Sequence, residues 1–445
     1  MASDLLSIAT SGTKAARLAL DVTAQNIANA SSEGYVRRSL RLEELASSGG
    51  FGRIGDVSLS GVRLGAVVRN ADLFRQAEVR RTGADAARGD AEVAGLENIQ
   101  TAVEQSNVFP SIVKFEASLQ QLASDPVDPS LRAAVIEGAR TMTRTINIAA
   151  NSLDAAGTGM RFEAADGVAQ VNQLAGELAR VNLRLARASD ATSDQTALLD
   201  QRDMLLDRMS QYADVSTIFN ADHSVEVRLG GTSGPQLVIG GTTSPLAMTS
   251  AANGTISFTL GANPVTLSGG SLAGKALVLV KLADVHTKLD AIAAGIIATV
   301  NAAQASGAAL DGSAGQPLLT GTDAASMALG FEDGHGIATA PGGAGANSRD
   351  PANLTALRNA LASANPAGAM DALIFDISGT VAGRAVTRDA LGTIAGNARI
   401  ALDAQSGVNL DQEAANLIRY QQAFQASGRA IQVASNIFDT LLSLR

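Results

Sequence analysis

The sequence predicts a mainly α protein with an inserted β domain: terminal coiled-coil-like helices drawn from both chain ends, a helical bundle domain, and a small β-rich outer domain. Three observations carry this. Hydrophobic residues make up 46% of the 445-residue chain, yet aromatic residues make up 3% and tryptophan is absent. The apolar material is therefore mostly Ala, Leu, Val and Ile, the residues of close-packed helices. Both ends repeat small or apolar residues at alternating steps of three and four, the spacing of a helix–helix seam. From Asp214 to Leu267 that rhythm stops, and short Val-, Ile-, Thr- and Leu-rich runs are separated by Gly-Gly pairs. At roughly 150 residues per domain the length accommodates about three domains. The expected division is 1–50 with 405–445 as a terminal helical assembly domain, 51–213 with 275–404 as a helical bundle with some irregular segments, and 214–274 as the β-rich insert.

At the N-terminus the seam runs Leu5, Ile8, Gly12, Ala15, Ala19, Val22, Asn26 and Asn29. Leu73 to Val108 continues as helix, Pro110 interrupts it, and Ile112 to Leu122 resumes before the Asp125-Pro126-Val127-Asp128-Pro129 break. Leu131 to Leu153 is a further helix, and Val168, Val171, Leu174, Leu178, Val181 and Leu185 mark another. After the polar Ser189 to Asp194 link, Ala197 to Tyr212 forms its antiparallel partner. Strand patterns follow at Val225 to Leu229, Gln236 to Ile239, Ile256 to Leu260 and Val265 to Leu267. Helical periodicity returns at Leu277 to Ala303, then at Asn353 to Ala362 and Ala390 to Ala404.

The last helix keeps the seam rhythm through Leu410, Ala414, Leu417, Gln421, Phe424, Gly428, Ile431, Ser435, Phe438 and Leu442. Asn409, with Gln412 three residues on, supplies a capping start. A second stripe of Ala430, Val433, Ala434, Ile437, Leu441 and Leu444 covers the flank, and beyond Ala430 only Asp439 and Arg445 carry charge. One partner helix cannot bury that circumference, so burial among several helices or between subunits is expected.

Chemistry is largely excluded. The chain has no cysteine, its three histidines (His223, His286 and His335) are far apart in sequence, and no metal or cofactor is expected. Thirty-four basic residues against 43 acidic give a net charge of −9, which disfavours nucleic acid as a partner. Arg37, Arg38 and Arg41 are followed at once by Glu43 and Glu44 and read as a solvated loop or strand edge. The longest apolar run, Ala291 to Val300, is short of the roughly 20 residues a membrane span needs, so no membrane insertion is expected. Met1 to Lys14 lacks the pattern of a cleavable secretory signal. The best enzymatic candidate, Gly269 to Ala276, resembles a phosphate-binding loop in its glycines and Lys275, but Ala276 stands where a metal-binding hydroxyl is required. Asp200 and Asp203, with Arg202 between them, read as the wet face of a helix holding a structural ion pair. The protein is read as no enzyme.

Several of these segments resemble the flagellar hook-associated protein 1 family, within the axial proteins of the bacterial flagellum. Ser406 to Glu413, Asn416-Leu417, Tyr420-Gln421-Gln422 and Asn436 to Leu442 are similar to its tail. Asn26-Ile27-Ala28-Asn29, followed by Gly34-Tyr35-Val36-Arg37, is similar to the terminal motif shared by rod, hook and junction proteins. Leu119 to Pro126 with Asp128, Pro129 and Arg132, and Leu198 to Asp203, are similar to its bundle. Ser31-Ser32-Glu33 departs from the Asn-Thr-Pro type of turn common there, and the chain is shorter than many relatives, which implies a reduced outer domain.

The resemblance implies a structural subunit of the hook–filament junction, outside the cell and exported through the flagellar type III path without a cleaved signal. It implies as partners copies of the chain in a junction ring, the hook protein, the distal hook-associated protein, and an export chaperone at the C-terminal region. The expected mechanism is coupled folding and assembly. Isolated terminal helices bury too little to offset an ordering cost of roughly 1–2 kcal/mol per residue, and neighbours supply the missing surface. The expected assembly interface is Leu5, Ile8, Gly12, Ala15, Ala19, Val22, Asn26, Asn29, Leu410, Leu417, Phe424, Ile431, Ile437, Phe438, Leu441 and Leu442. The alternatives are another axial subunit, flagellin or hook-type, and a nucleotide-binding protein using 269–276.

Overall fold

The structure, a computed structural model, describes residues 2–32, 34–46, 59–188 and 192–443. Within these, the side chains of 2–4, 45, 46, 59, 60, 64, 193 and 441–443 are left undescribed. Glu33, the first half of the Ser189 to Asp194 link, Leu444 and Arg445 lie outside the described residues, as do the side chains of Leu441 and Leu442.

Long helices dominate, as the composition requires. The order is α1 (Ala2–Ala28), β1 (Arg38–Ala46), β2 (Leu59–Arg69), α2 (Leu73–Glu104), α3 (Val108–Leu122), α4 (Pro129–Leu185) and α5 (Ser193–Tyr212). Strands β3 (Val215–Phe219), β4 (Val225–Leu229), β5 (Gln236–Ile239), β6 (Thr242–Thr243), β7 (Leu246–Ser250), β8 (Ile256–Leu260) and β9 (Asn263–Val265) follow. The chain ends with α6 (Gly270–Ser306), a stretch of loops and two-residue strands, α7 (Ala352–Ala364), α8 (Pro366–Ser406) and α9 (Leu410–Ser443).

The chain divides into two units, 1–84 with 170–245 and 392–445, and 85–169 with 246–391. In the first, α1 packs along α9 and against the antiparallel β1–β2 hairpin. A four-stranded antiparallel sheet, β3-β4-β5-β6, buries Val225, Val227 and Leu229 at every second position, as a half-buried strand must. Asn182 of α4 holds that sheet, donating to the carbonyls of Val225 and Gly240 at 2.9 Å each and accepting from Val225 N at 3.0 Å. The second unit has its core around Ile99, Ile112, Phe115, Leu119, Met142, Ile146, Leu153, Leu289 and Leu354, all fully buried, and contains the three-stranded sheet β7-β8-β9.

Several sequence expectations need correction. The β segment 214–274 holds two separate sheets, because Pro245, which has no N–H for a ladder, stands between β6 and β7. Pro110 does not interrupt a helix. The break lies at Asn107, in the left-handed region at φ 57°, and Pro110 falls in the first turn of α3, where a missing N–H costs nothing. The two helices expected within 131–185 are one 57-residue helix. Gly157 in its middle is kept small by a neighbour, since an added Cβ would lie 2.6 Å from Leu282 Cδ2. α8 begins at Pro366, directly after Asn365 caps α7 at φ 47°. Its first half escapes the periodicity because Gly368, Gly379 and Gly383 dilute the apolar pattern. Among the described residues α6 alone is long and apolar enough to cross a membrane, by length and composition only. Its Leu282, Val285, Leu289, Ile292, Ile296 and Val300 are buried in the second unit.

Candidate assembly surface

The terminal motif folds into a polar clasp. α1 ends at Ala28, Asn29 turns back to donate to Gln25 O at 2.9 Å, and Gly34 takes φ 76°, a conformation that favours glycine. The chain then passes the end of α8, with Arg37 N donating to Ser406 O at 3.0 Å. Asn26 is 1% exposed and uses its whole hydrogen-bonding capacity. Its Nδ2 donates to Arg38 O at 2.8 Å and to Glu413 Oε2 at 3.1 Å, while its Oδ1 accepts from Arg38 N at 3.0 Å and from the Tyr35 hydroxyl at 2.9 Å. Glu413, also 1% exposed, accepts Arg37 Nε at 2.8 Å and lies 2.7 Å from Arg37 Nη2. It sits in the first turn of α9, where the helix dipole favours an anion and Asn409 Oδ1 caps Gln412 N at 3.1 Å. Burial pushes the Tyr35 hydroxyl above its ordinary pKa, although Arg38, 5.0 Å from its ring centroid, opposes the shift.

Behind the clasp lies a charge network. Arg38 Nη2 reaches Asp200 at 3.1 Å, Arg69 Nη2 bridges Asp200 at 2.7 Å and Asp203 at 2.9 Å, and Arg202 holds Asp203 at 2.7 Å. Burial raises the Asp200 carboxyl against the pull of Arg69 and Arg38. At Asp203 burial pushes the same way, but Arg202 and Arg69 outweigh it and hold the carboxyl below its ordinary value. Asp207, beside Arg80 at 3.7 Å and Arg399 at 3.8 Å, is pushed by burial up to about 6. Arg37 and Arg38 are thus structural ion-pair partners and no solvated edge, whereas Arg41 is exposed on β1. Arg202 and Asp203 are buried and form the expected ion pair, but on no wet face. The other partners, Arg38, Arg69, Arg80 and Arg399, come from distant segments, so no local pattern identifies them.

The expected interface residues fall into two groups. Ala15, Ala19, Val22 and Asn26 are buried on the face of α1 that carries Gly12, and Gly12, Asn29, Leu417 and Ile431 are half-buried. At Gly12 an added Cβ would lie 3.0 Å from Ser427 Oγ, so glycine permits the close approach of α9. The second group stays in solvent: Leu5, Ile8, Leu410, Phe424, Ile437 and Phe438 are exposed, and Leu441 and Leu442 are outside the described side chains. Leu6, Ile27 and Ile418 are exposed apolar residues that the seam rhythm passes over, and Val433, from the flank stripe, joins them. Ile418 beside Leu417 was the available signal, because adjacent apolar residues cannot share one narrow seam.

The phosphate-loop reading fails on geometry. Gly270 to Ala276 is the first two turns of α6, and a Cβ on Gly274 would lie 2.5 Å from Arg88 O. That glycine serves close packing, and Lys275 pairs with Glu163 at 2.8 Å.

Comparison with known proteins accords with this architecture. Residues 93–319 match the family model described as the flagellar hook-associated protein FlgK helical domain. Residues 6–35 match the flagella basal body rod protein model, and 403–444 match the flagellar basal body rod FlgEFG protein C-terminal model. Flagellar hook-associated protein 1 of Bacillus subtilis is 24% identical, with 96% of each chain covered. That of Salmonella typhimurium is 28% identical over 52% of this chain and 40% of its own length. The hook junction protein FlgK of Burkholderia pseudomallei has a solved structure with a TM-score of 0.49 at 23% identity, covering 55% of this chain and 46% of that one. With half of its length matched by the helical-domain model and both ends by axial-protein models, this chain belongs to the flagellar hook-associated protein FlgK family.

Proposed function

We propose that this chain, a structural subunit of the flagellar hook–filament junction, assembles by burying the exposed apolar faces of α1 and α9 against neighbouring subunits. The observation that carries the reading is the state of α9. Ile418 is 56% exposed, Val433 57% and Phe438 53%, on a helix whose other side already packs on α1. Completing the burial of such a side chain contributes about 1 kcal/mol, so a handful per subunit drives association without any single strong site. Each subunit offers different surfaces along the assembly axis, and heterologous contacts of this kind close into a ring or extend a tube.

On this reading the partners are copies of the chain in a junction ring, the hook protein on one side and the distal hook-associated protein on the other. An export chaperone shields the C-terminal region until secretion through the flagellar export path places the subunit outside the cell. The work is mechanical and needs no catalytic group. Phe438→Glu combined with Val433→Glu tests the proposal better than a change at half-buried Ile431. The double variant is expected to keep wild-type helicity and stability while failing to join hook-terminated structures. Normal incorporation would overturn the reading.

A further inference from the structure

We infer that the buried Asn26–Glu413 contact is a register lock: it sets where along α9 the N-terminal helix docks, and so which exposed side chains of the two helices stand level. The inference rests on the proposed assembly surface for its consequence only.

Two contacts define the register. Asn26 Nδ2 meets Glu413 Oε2 at 3.1 Å, and the Cβ position of Gly12 lies 3.7 Å from Ser427 Cβ. The fourteen residues from Asn26 back to Gly12 match the fourteen from Glu413 on to Ser427, so the helices run antiparallel in one continuous register. Carried further, that register sets Ile8 level with half-buried Ile431, and Leu5 level with buried Ala434. The exposed Leu5 and Leu6 thereby come beside the part of α9 that exposes Val433, Ile437 and Phe438.

On α1 the apolar part of the seam carries little positional information. Ala15, Ala19 and Val22 are short aliphatic side chains that hold no directional contact, so they tolerate a slide along α9 more readily than a partnered polar group does. Asn26 is different. A slip of one turn, about 5.4 Å, takes Glu413 out of reach of an amide that is otherwise fixed by Arg38 and Tyr35. A buried polar group left without its partner costs on the order of 1–3 kcal/mol, and a single buried Asn is a known means of fixing helix register. The clasp joins two segments the sequence marks independently, Asn26 to Arg37 and the start of α9. Its geometry assigns Asn26 the part of a positioning residue.

The absence of cysteine from the 445 residues allows a direct test on the whole chain. Gly12→Cys with Ser427→Cys has the Cβ separation of a disulfide, roughly 3.5–4.5 Å. Gly12→Cys with Phe424→Cys, or with Ile431→Cys, reports a slip of about one turn either way. With Asn26 present, oxidation is expected to favour the Ser427 pair at least tenfold. In Asn26→Leu, which keeps the helix and adds apolar seam, the preference is expected to fall below threefold. Glu413→Gln, which retains an acceptor for Asn26, is expected to preserve it. An undiminished preference in Asn26→Leu overturns the lock, as does loss of all three cross-links there, which would make Asn26 a stability determinant instead. Loss of preference in Glu413→Gln transfers the role to the Arg37 ion pair and overturns the assignment to Asn26. Cross-linking does not involve assembly, so failure of the lock is distinct from failure of the assembly surface, which is read by incorporation.

Discussion

Arg37 and Glu413 join the two ends of the chain: the guanidinium of the first lies 2.7 Å from a carboxylate that is almost wholly removed from water. Glu413 has Asn26 as its other hydrogen-bond partner, so the carboxylate depends on this ion pair for its balance of charge. Breaking a buried pair from one side is far costlier than replacing both members.

Arg37→Ala should therefore destabilise the docking of α1 and α9 by about 3 kcal/mol, since it strands a buried anion. Arg37→Ala with Glu413→Gln should cost less than the sum of the single changes. Hydrogen exchange of α1 and α9 amides in the four proteins of the cycle measures both statements.

Asp207 supplies a pH dependence with a definite sign. Its carboxyl titrates at about 6 in the folded chain against 3.8 ordinarily. Between these values the folded protein holds a proton that the unfolded chain has released, so stability falls as pH rises through that window. Relative to Asp207→Asn, the wild type should lose about 1–2 kcal/mol between pH 4 and pH 7, less than the full shift implies because the carboxyl is 34% exposed and partly screened by solvent. Urea unfolding of both proteins across that range is the measurement. A wild type that gains on the variant with rising pH would contradict the burial argument.

Arg132 is 1% exposed and is held by oxygens alone. Its Nε donates to Pro126 O at 2.6 Å, Nη1 to Gly334 O at 3.0 Å and Ile337 O at 2.9 Å, and Nη2 to Thr339 Oγ1 at 2.9 Å. Arg132→Met removes the donors to all four and should cost about 3 kcal/mol or more. Arg132→Lys should recover less than half of this, because an ammonium cannot reproduce the planar fork. Loss of exchange protection at 334–339 should precede global unfolding.

The helical architecture, the terminal pairing and the β segment were legible from the spacing of Leu, Ala and Val and from the Gly-Gly breaks, because periodicity is a local property. Helix ends were less so. Pro110 and Gly157 look like breaks in isolation, yet a first-turn position absorbs the one and the approach of Leu282 explains the other.

Sequence by itself determined which residues are apolar, which helices carry them, and the family resemblance of both ends. Only the tertiary structure decided which of those apolar residues remain uncovered. The stripe from Leu410 to Phe438 divides into half-buried Leu417 and Ile431 and exposed Leu410, Phe424 and Phe438. It also decided the partners of the charges, turning Arg37, Arg38 and Asp200 from expected surface residues into members of the clasp and of the charge network behind it. The physical reason is that a repeat of three and four specifies a face without naming what lies opposite, whereas burial and ion pairing depend on segments hundreds of residues apart.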